Sequence, residues 1–253
     1  MQSENKALTE RKMRAIILAA GRGSRMQHLT EDRPKCLVEL HGRSLLQWQR
    51  NALAGAGVED VAVVTGYLRE QLADRGLHEF NNPAWDRTNM VASLACAAEW
   101  LEQGPCIVSY SDIFYDSEAV RLLMSSDADI AVTYDPGWLE IWAARFEDPL
   151  DDAETFRLDG DTITEIGNRP EHVSEVEGQY MGLLRFTPAG WTEARRIHRA
   201  LPAEKGAKLD MTSLLRAVID AGNVPVKGVA YTGKWGEVDS SEDLAVYAGQ
   251  PKN

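Results

Sequence analysis

The sequence predicts a three-layer, Rossmann-like α/β domain with a mostly parallel, mixed sheet and a β-rich inserted lid. Three observations lead there. Short apolar runs that read as buried strands alternate with stretches whose apolar residues fall at helical spacing. The first run, Ala15 to Ala20, opens straight into a glycine-rich basic loop, Gly21-Arg22-Gly23-Ser24-Arg25. After Thr133 the rhythm breaks into an acidic, turn-rich stretch carrying a hairpin signal. In open α/β sheets ligands gather beyond the carboxyl ends of the strands, and Gly21 and Gly66 both fall at such ends.

Taken in order, residues 1–12 are charged and read as a disordered leader, with residues 13–253 as one domain. Ser44 to Ala56 predicts a helix: Ser44 can cap it, Leu45, Leu46, Trp48 and Leu53 supply its apolar face, and Gly57 can end it. Val61 to Val64 is the next strand, and Leu68 to Leu77 a second helix. His78 to Asn82 is a short strand. Met90 to Leu101 has apolar residues at helical spacing, with Asn89 where a cap would sit. Pro105 to Tyr110 and Asp129 to Thr133 are further strands. Residues 134–182 read as a poorly helical lid on the acceptor side of the sheet, in which Phe156–Leu158 and Thr162–Ile166 face one another across Asp159-Gly160-Asp161. Gly178 to Phe186 returns to a strand. Helices over Trp191–Leu201 and Met211–Ala221 and a late strand over Val224–Val229 complete the reading.

A strand ending in a glycine-rich basic loop suits a phosphate chain: glycine lets backbone N–H groups approach the oxygens, and arginine offers a forked donor. A Walker P-loop would need Lys-Ser or Lys-Thr directly after its last glycine, and the dinucleotide fingerprint a third glycine and an immediate helix. Neither is present, and Pro34 opposes a helix at residue 33. What remains is Leu18-Ala19-Ala20-Gly21-x-Gly23-x-Arg25, then Thr30, then Pro34-Lys35. This resembles the LAAGxGxR…T…PK signature of nucleotidyltransferases that move a nucleoside monophosphate from an NTP to a phosphorylated acceptor. Asn89, Ser93 and Leu94 resemble the N-x-x-x-S-L element of the phosphocholine cytidylyltransferase-like branch, which also includes phosphonate cytidylyltransferases. Lys234-Trp235 through Asp243-Leu244 resembles that family's closing W-x-x-(V/I)-D-(T/S)-x-E-D-L. The resemblance runs from Met13 to about Tyr247.

The resemblance implies a Mg²⁺-dependent, CTP-dependent cytidylyltransferase. In it, Arg25 and Lys35 are the catalytic cations. Leu18, Ala19, Ala20, Gly21, Arg22, Gly23, Ser24, Gly66, Asn89 and Ser93 line the nucleotide. Asp112 and Asp239 hold the metal; Asp112 stands after a strand, where a carboxylate suits Mg²⁺ bridging phosphates, although an Asp there also caps turns. Asn89 is read equally as cap and as ligand contact, and Ser240 or Ser241, with Glu242, as a helix cap.

The acceptor is left open between phosphocholine and a small phosphonate. Tyr134, Trp138, Trp142, Tyr180 and Trp235 offer an aromatic cage for a quaternary ammonium. Arg87, Arg145, Arg157, Arg169 and Lys234 suit an anion instead, and the acceptor side is assigned to Arg87, Arg169, Gln179, Tyr180 and Lys234. A sugar-1-phosphate nucleotidyltransferase and a non-catalytic nucleotide sensor are the rival readings. An Asp-x-Asp glycosyltransferase is disfavoured, because Tyr110 holds the place of the first carboxylate.

With 27 Lys plus Arg against 39 Asp plus Glu, the net charge of −12 argues against nucleic-acid and anionic-membrane partners. The three cysteines, Cys36, Cys96 and Cys106, show no ligand spacing and fit free thiols in a reducing, cytoplasmic setting. No residue sets the oligomeric state, and a homodimer stays open.

Overall fold

The computed structural model describes residues 12–73 and 75–249. The expected leader therefore lies outside the described residues except for Lys12, which pairs with Glu59 and Asp60.

In chain order the elements are β1 (Arg14–Leu18), α1 (Leu45–Gly55), β2 (Asp60–Thr65), β3 (His78–Asn81), α2 (Met90–Ala95), α3 (Ala98–Gln103), β4 (Cys106–Tyr110), β5 (Ile113–Tyr115) and α4 (Ser117–Met124). There follow β6 (Ile130–Asp135), α5 (Trp138–Arg145), β7 (Phe156–Asp159), β8 (Thr162–Ile166), β9 (Gln179–Phe186), α6 (Pro188–Ala200), α7 (Ala203–Lys208), α8 (Met211–Ala221), β10 (Val226–Ala230), β11 (Trp235–Glu237) and α9 (Ser241–Ala248). A nine-stranded sheet runs in the order β3-β2-β1-β4-β9-β6-β10-β8-β7. β3, β2, β1 and β4 are parallel, β9 is antiparallel to both β4 and β6, and β10 is parallel to β6.

Period-two alternation divides the strand side chains between two cores, one on each face of the sheet. Ala15, Ile17, Val63, Ile107 and Leu183 pack on one side with Leu46 and Leu53 of α1 and Val120 and Leu123 of α4. Ile16, Leu18, Ala62, Val64, Val108 and Leu184 pack on the other with Leu94, Leu101, Trp191 and Leu214 from α2, α3, α6 and α8. This is the three-layer α/β fold that the alternation predicts.

Ser44 caps α1 by accepting a hydrogen bond from Gln47 N, and Gly57 follows its end at φ 85°. The helix expected over Leu68–Leu77 does not form. Leu68 stands in the left-handed region at φ 46°, and only a 3₁₀ turn, Arg69–Gln71, follows. Leu72 alone of that stretch's leucines is fully buried, so a helix there would have little apolar face to dock. The helix expected over Met90–Leu101 is broken at Ala97 (φ −97°, ψ 17°) into α2 and α3, an arrangement in which Leu94, Ala97 and Leu101 all reach the core.

The stretch expected to be poorly helical contains α5, whose Trp138 and Trp142 are both buried. The hairpin across Asp159-Gly160-Asp161 forms as β7 and β8, and joins the main sheet through the pairing of Thr162 with Lys227. The sequence reading missed α4, α7, the paired two-residue strands Glu39–Leu40 and Arg43–Ser44, and the short strands β5 and β11, which build a separate two-stranded ladder. Among the described residues no helix is long and apolar enough to cross a membrane.

Candidate active site

Two ladders bring the site together from opposite ends of the chain. β1 and β4 are neighbours in register, Leu18 opposite Tyr110, so the glycine-rich loop and the Ser111-Asp112 turn leave the sheet side by side. β5 pairs with β11, Glu237 opposite Ile113, and Val238 N donates to Asp112 O at 2.9 Å. That pairing sets Asp239 beside Asp112. The turn is held from below by the buried Gln49 of α1, whose Nε2 donates to Tyr110 O at 2.9 Å and Ile113 O at 2.6 Å.

Lys35 enters from the far end of the loop. Gly23 stands at φ 69°, and a Cβ there would fall 2.7 Å from Lys35 Cδ, so the lysine stem lies along the glycine's bare backbone. Thr30 Oγ1 closes the loop by donating to Gly23 O at 3.1 Å. The Lys35 ammonium, 6% exposed, bonds Asp112 Oδ2 at 2.8 Å and also Asp239 Oδ1. Burial alone would push its pKa down, but Asp112, Asp239 and Glu237 outweigh that and raise it, so the lysine is a fixed cation. Arg25, largely exposed, reaches the other oxygen of Asp239 at 2.5 Å.

Glu237, which sequence reasoning passed over, belongs to this group. One oxygen each of Asp112, Glu237 and Asp239 lie within 4.8 Å of one another. The signal was the period of a strand: positions 237 and 239 in Trp235-Gly236-Glu237-Val238-Asp239 share a side. Burial, with Asp239 and Asp112 beside it, pushes Glu237 above the usual carboxylate range. Asp112 Oδ1 is buried and has no hydrogen-bond partner among the described residues. Three convergent hard oxygens, with an unpartnered carboxylate oxygen on one of the residues, fit a divalent cation such as Mg²⁺.

Asp239 is positioned from behind by α9. Asp243 accepts hydrogen bonds from Asp239 N at 2.9 Å and Ser240 N at 3.0 Å, while Ser240 Oγ accepts from Asp243 N at 3.1 Å. Asp243, three residues after Ser240, thus closes the capping box in place of the expected Glu242. The buried Arg145 guanidinium bonds Asp243 at 2.8 Å and Glu237 at 3.4 Å, linking α5 to the acids.

Two clefts meet at Arg25, Met90, Tyr110 and Asp239. The first, about 270 Å³, is lined by Leu18, Ala20, Gly21, Gly23, Ser24, Lys35, Asn89, Ser93 and Asp112, together with Trp85 and Thr88, which the sequence reading did not single out. Asn89 both caps, its Oδ1 accepting from Met90 N at 2.8 Å, and lines this cleft. Three residues expected beside the nucleotide stand elsewhere. Ala19 packs into the core, Arg22 lies over the Tyr67 ring at 5.7 Å, and Gly66 sits behind the wall, where a Cβ would meet Trp85 at 2.6 Å and Ala20 O at 2.7 Å.

The second cleft, about 300 Å³, is lined by Gln179, Tyr180, Trp142, Trp235, Asp152, Glu154, Asp210, Thr212 and Glu237. Arg87, Arg169 and Lys234 are not in it. Arg87 is exposed, Arg169 is exposed and lies 3.9 Å from Asp151, and Lys234 lines a small recess with Leu40 and Tyr247. The aromatic cage is not assembled either. Tyr134 stacks near Phe156, Trp138 donates to Val176 O, and Trp142 and Trp235 pack on each other at 6.1 Å.

A glycine-rich loop, a buried lysine and a carboxylate cradle at the carboxyl edge of a mostly parallel sheet define a nucleotide-binding α/β protein of the transferase type. The chain belongs to the MobA-like NTP transferase domain family, whose model matches residues 15–175. It is 36% identical over 250 residues to the CTP:phosphoglutamine cytidylyltransferase of Campylobacter jejuni, covering 92% of this chain and 98% of that protein. It is 37% identical over 114 residues to the 2-aminoethylphosphonate cytidylyltransferase of Lancefieldella rimae, covering 43% and 46%. Its fold is similar to that of the inositol-1-phosphate CTP transferase of T. maritima (TM-score 0.74, 18% identity, 94% and 95% covered). It is also similar to that of the CTP:phosphocholine cytidylyltransferase of Streptococcus pneumoniae (TM-score 0.66, 21% identity, 92% and 96% covered).

Proposed function

We propose that this chain transfers CMP from CTP to the phosphate or phosphonate group of a small acceptor, with release of pyrophosphate. The observation that carries the reading is the buried Lys35 ammonium beside the glycine-rich loop, bonded to Asp112 and Asp239 where the two clefts join. The preference for CTP rests on the C. jejuni relative, which matches nearly the whole chain.

An acceptor oxygen attacks the α-phosphorus, a new P–O bond forms, and the bond to the β-phosphate bridging oxygen breaks as pyrophosphate leaves. No proton need move if the attacking phosphate is dianionic. Charge crowds at the α-phosphorus, so alignment and electrostatics carry the catalysis. Lys35, bonded to Asp239 beside the junction, meets the α-phosphate or the attacking oxygen, and Arg25, exposed and paired with Asp239, meets the β- and γ-phosphates. The backbone of Ala20 to Gly23 borders the nucleotide from one side and Asn89 and Ser93 from the other. Mg²⁺ held by Asp112 and Asp239, with Glu237, would neutralise charge on the phosphates.

The test is a pyrophosphate-release screen of four NTPs with Mg²⁺ against phosphoglutamine, phosphocholine, 2-aminoethylphosphonate and hexose 1-phosphates. Release with CTP and a non-sugar acceptor is the expected result. Release only with hexose 1-phosphates and UTP or dTTP would favour a sugar nucleotidyltransferase, and silence would favour a nucleotide sensor.

A further inference from the structure

We propose that Gln49 is a positioning residue of the carboxylate cradle: its side-chain amide fixes the Asp112 turn against Lys35 and the opposite acids, and so sets the affinity for the divalent cation. The inference rests on the cytidylyl-transfer reading and adds to it a residue that lines neither cleft.

Gln49 breaks the pattern of its own helix. The buried stripe of α1 is Leu45, Leu46, Gln49, Ala52 and Leu53, so an amide stands where the period calls for an apolar side chain. It is fully buried, and its Oε1 has no hydrogen-bond partner among the described residues. Burying an amide with one end unmet costs stability. What the amide supplies is geometry. Its Nε2 carries two hydrogens and reaches two carbonyls on either side of Asp112, Tyr110 O at 2.9 Å and Ile113 O at 2.6 Å. Among neutral side chains only a primary amide offers two donors from one atom.

These bonds complete a frame around the acid. Asp112 O accepts from Val238 N, the residue between Glu237 and Asp239, so the turn is tied at positions 110, 112 and 113. Ser109 Oγ is a second donor to Tyr110 O, at 2.9 Å, and itself accepts from Tyr115 Oη at 3.1 Å. On the other side, α1 grows out of the segment that bears Lys35: Val38 N donates to Lys35 O and Leu45 N to Val38 O, each at 3.0 Å. Gln49 lies one helical turn beyond Leu45. The Lys35–Asp112 ion pair, at 2.8 Å, is therefore doubled by a link made of neutral groups. When a phosphate draws the ammonium away from Asp112, that link keeps the carboxylate beside Glu237 and Asp239. Mg²⁺ demands near-ideal geometry at short distances, so a loosened carboxylate costs affinity.

The experiment measures Mn²⁺ binding by loss of the free-ion EPR signal, corrected for nucleotide alone, with α,β-methylene-CTP present so that nothing turns over. The proteins are wild type, Gln49→Met, Gln49→Glu and Leu53→Ala. Gln49→Met keeps length and burial but removes both donors, and Gln49→Glu sets carboxylate oxygens against two carbonyls. Leu53→Ala opens a cavity under the same helix and removes no hydrogen bond to the turn, so it shows what lost stability alone does. The Kd for Mn²⁺ should rise about tenfold or more in both Gln49 variants and stay within about twofold of wild type in Leu53→Ala. Turnover of Gln49→Met at limiting Mg²⁺ should fall about 10- to 100-fold and recover in part when Mg²⁺ is raised. If Gln49→Met does not fold, Gln49→Glu decides. Wild-type Mn²⁺ affinity in a folded Gln49 variant, or an equal loss in Leu53→Ala, would overturn the positioning role and leave cytidylyl transfer standing. A wild type that neither binds Mn²⁺ with the nucleotide nor releases pyrophosphate with any acceptor would overturn the transfer reading, and the role of Gln49 with it.

Discussion

The two walls of the site are made in different ways. The wall proposed for the nucleotide is largely local: β1, its loop and Lys35 come from one continuous stretch, faced by Trp85 to Ser93 and by Tyr110 to Asp112. The wall proposed for the acceptor is assembled from residues far apart, with Trp142 from α5, Asp152 and Glu154 before β7, Gln179 and Tyr180 on β9, and Asp210 at the start of α8. Asp239 stands in both. A phosphate chain is recognised by backbone geometry and fixed cations, which one loop can supply. A particular small acceptor must be surrounded, and that takes several elements.

The comparison breaks most sharply at the shared acids. Asp112→Asn and Asp239→Asn should each lower Mg²⁺-dependent turnover by on the order of a thousandfold or more while the far-UV spectrum stays native. Near-normal rates in either variant would remove that residue from the cradle. Lys35→Ala comes next, with kcat falling by about two to three powers of ten, as for loss of one positioned charge. A drop below about threefold would make Lys35 structural.

Gly23→Ala probes the nucleotide wall alone. The added Cβ needs φ 69° and the space of Lys35 Cδ, so kcat should fall about 10- to 100-fold, with acceptor preference unchanged. Retained activity would show that the lysine stem can move aside. Arg145→Lys tests the connection between the walls: a single-point ammonium cannot replace a fork shared between Asp243 and Glu237. The concentration of Mg²⁺ or Mn²⁺ for half-saturation should rise about tenfold, read both in turnover and by direct Mn²⁺ binding. Unchanged metal binding would confine Arg145 to holding α5. The smallest effect is chemical: burial pushes the Cys36 and Cys106 thiols up to about 12, so native-state alkylation near pH 8 should fall on Cys96 first. Early labelling of Cys36 would place it nearer solvent than its buried position allows.

Much of the lining of the first cleft was readable because its signals are short-range. Gly21 and Gly23 mark where backbone must stay bare, and Asp239 stands out because capping explains Ser240 without it. The failures have physical causes too. The 68–77 stretch has leucines at plausible spacing, but Leu72 alone of them is fully buried, and propensity with so little tertiary contact is weak. Arg87, Arg169 and Lys234 were chosen for charge, yet charge says nothing about which face of the fold a side chain occupies. Trp138, Trp142 and Trp235 look like a cage in composition but are spent on packing and on backbone and Asp135 partners.

By itself the chain's order of residues determined the alternation of strands and helices and the glycine-rich basic loop after the first strand, because period and turn chemistry act between near neighbours. Only the tertiary structure decided that Glu237 joins Asp112 and Asp239 and that Arg145 braces them. Those meetings depend on strand register and on which elements pack together, and such long-range choices are settled by burial of the whole core.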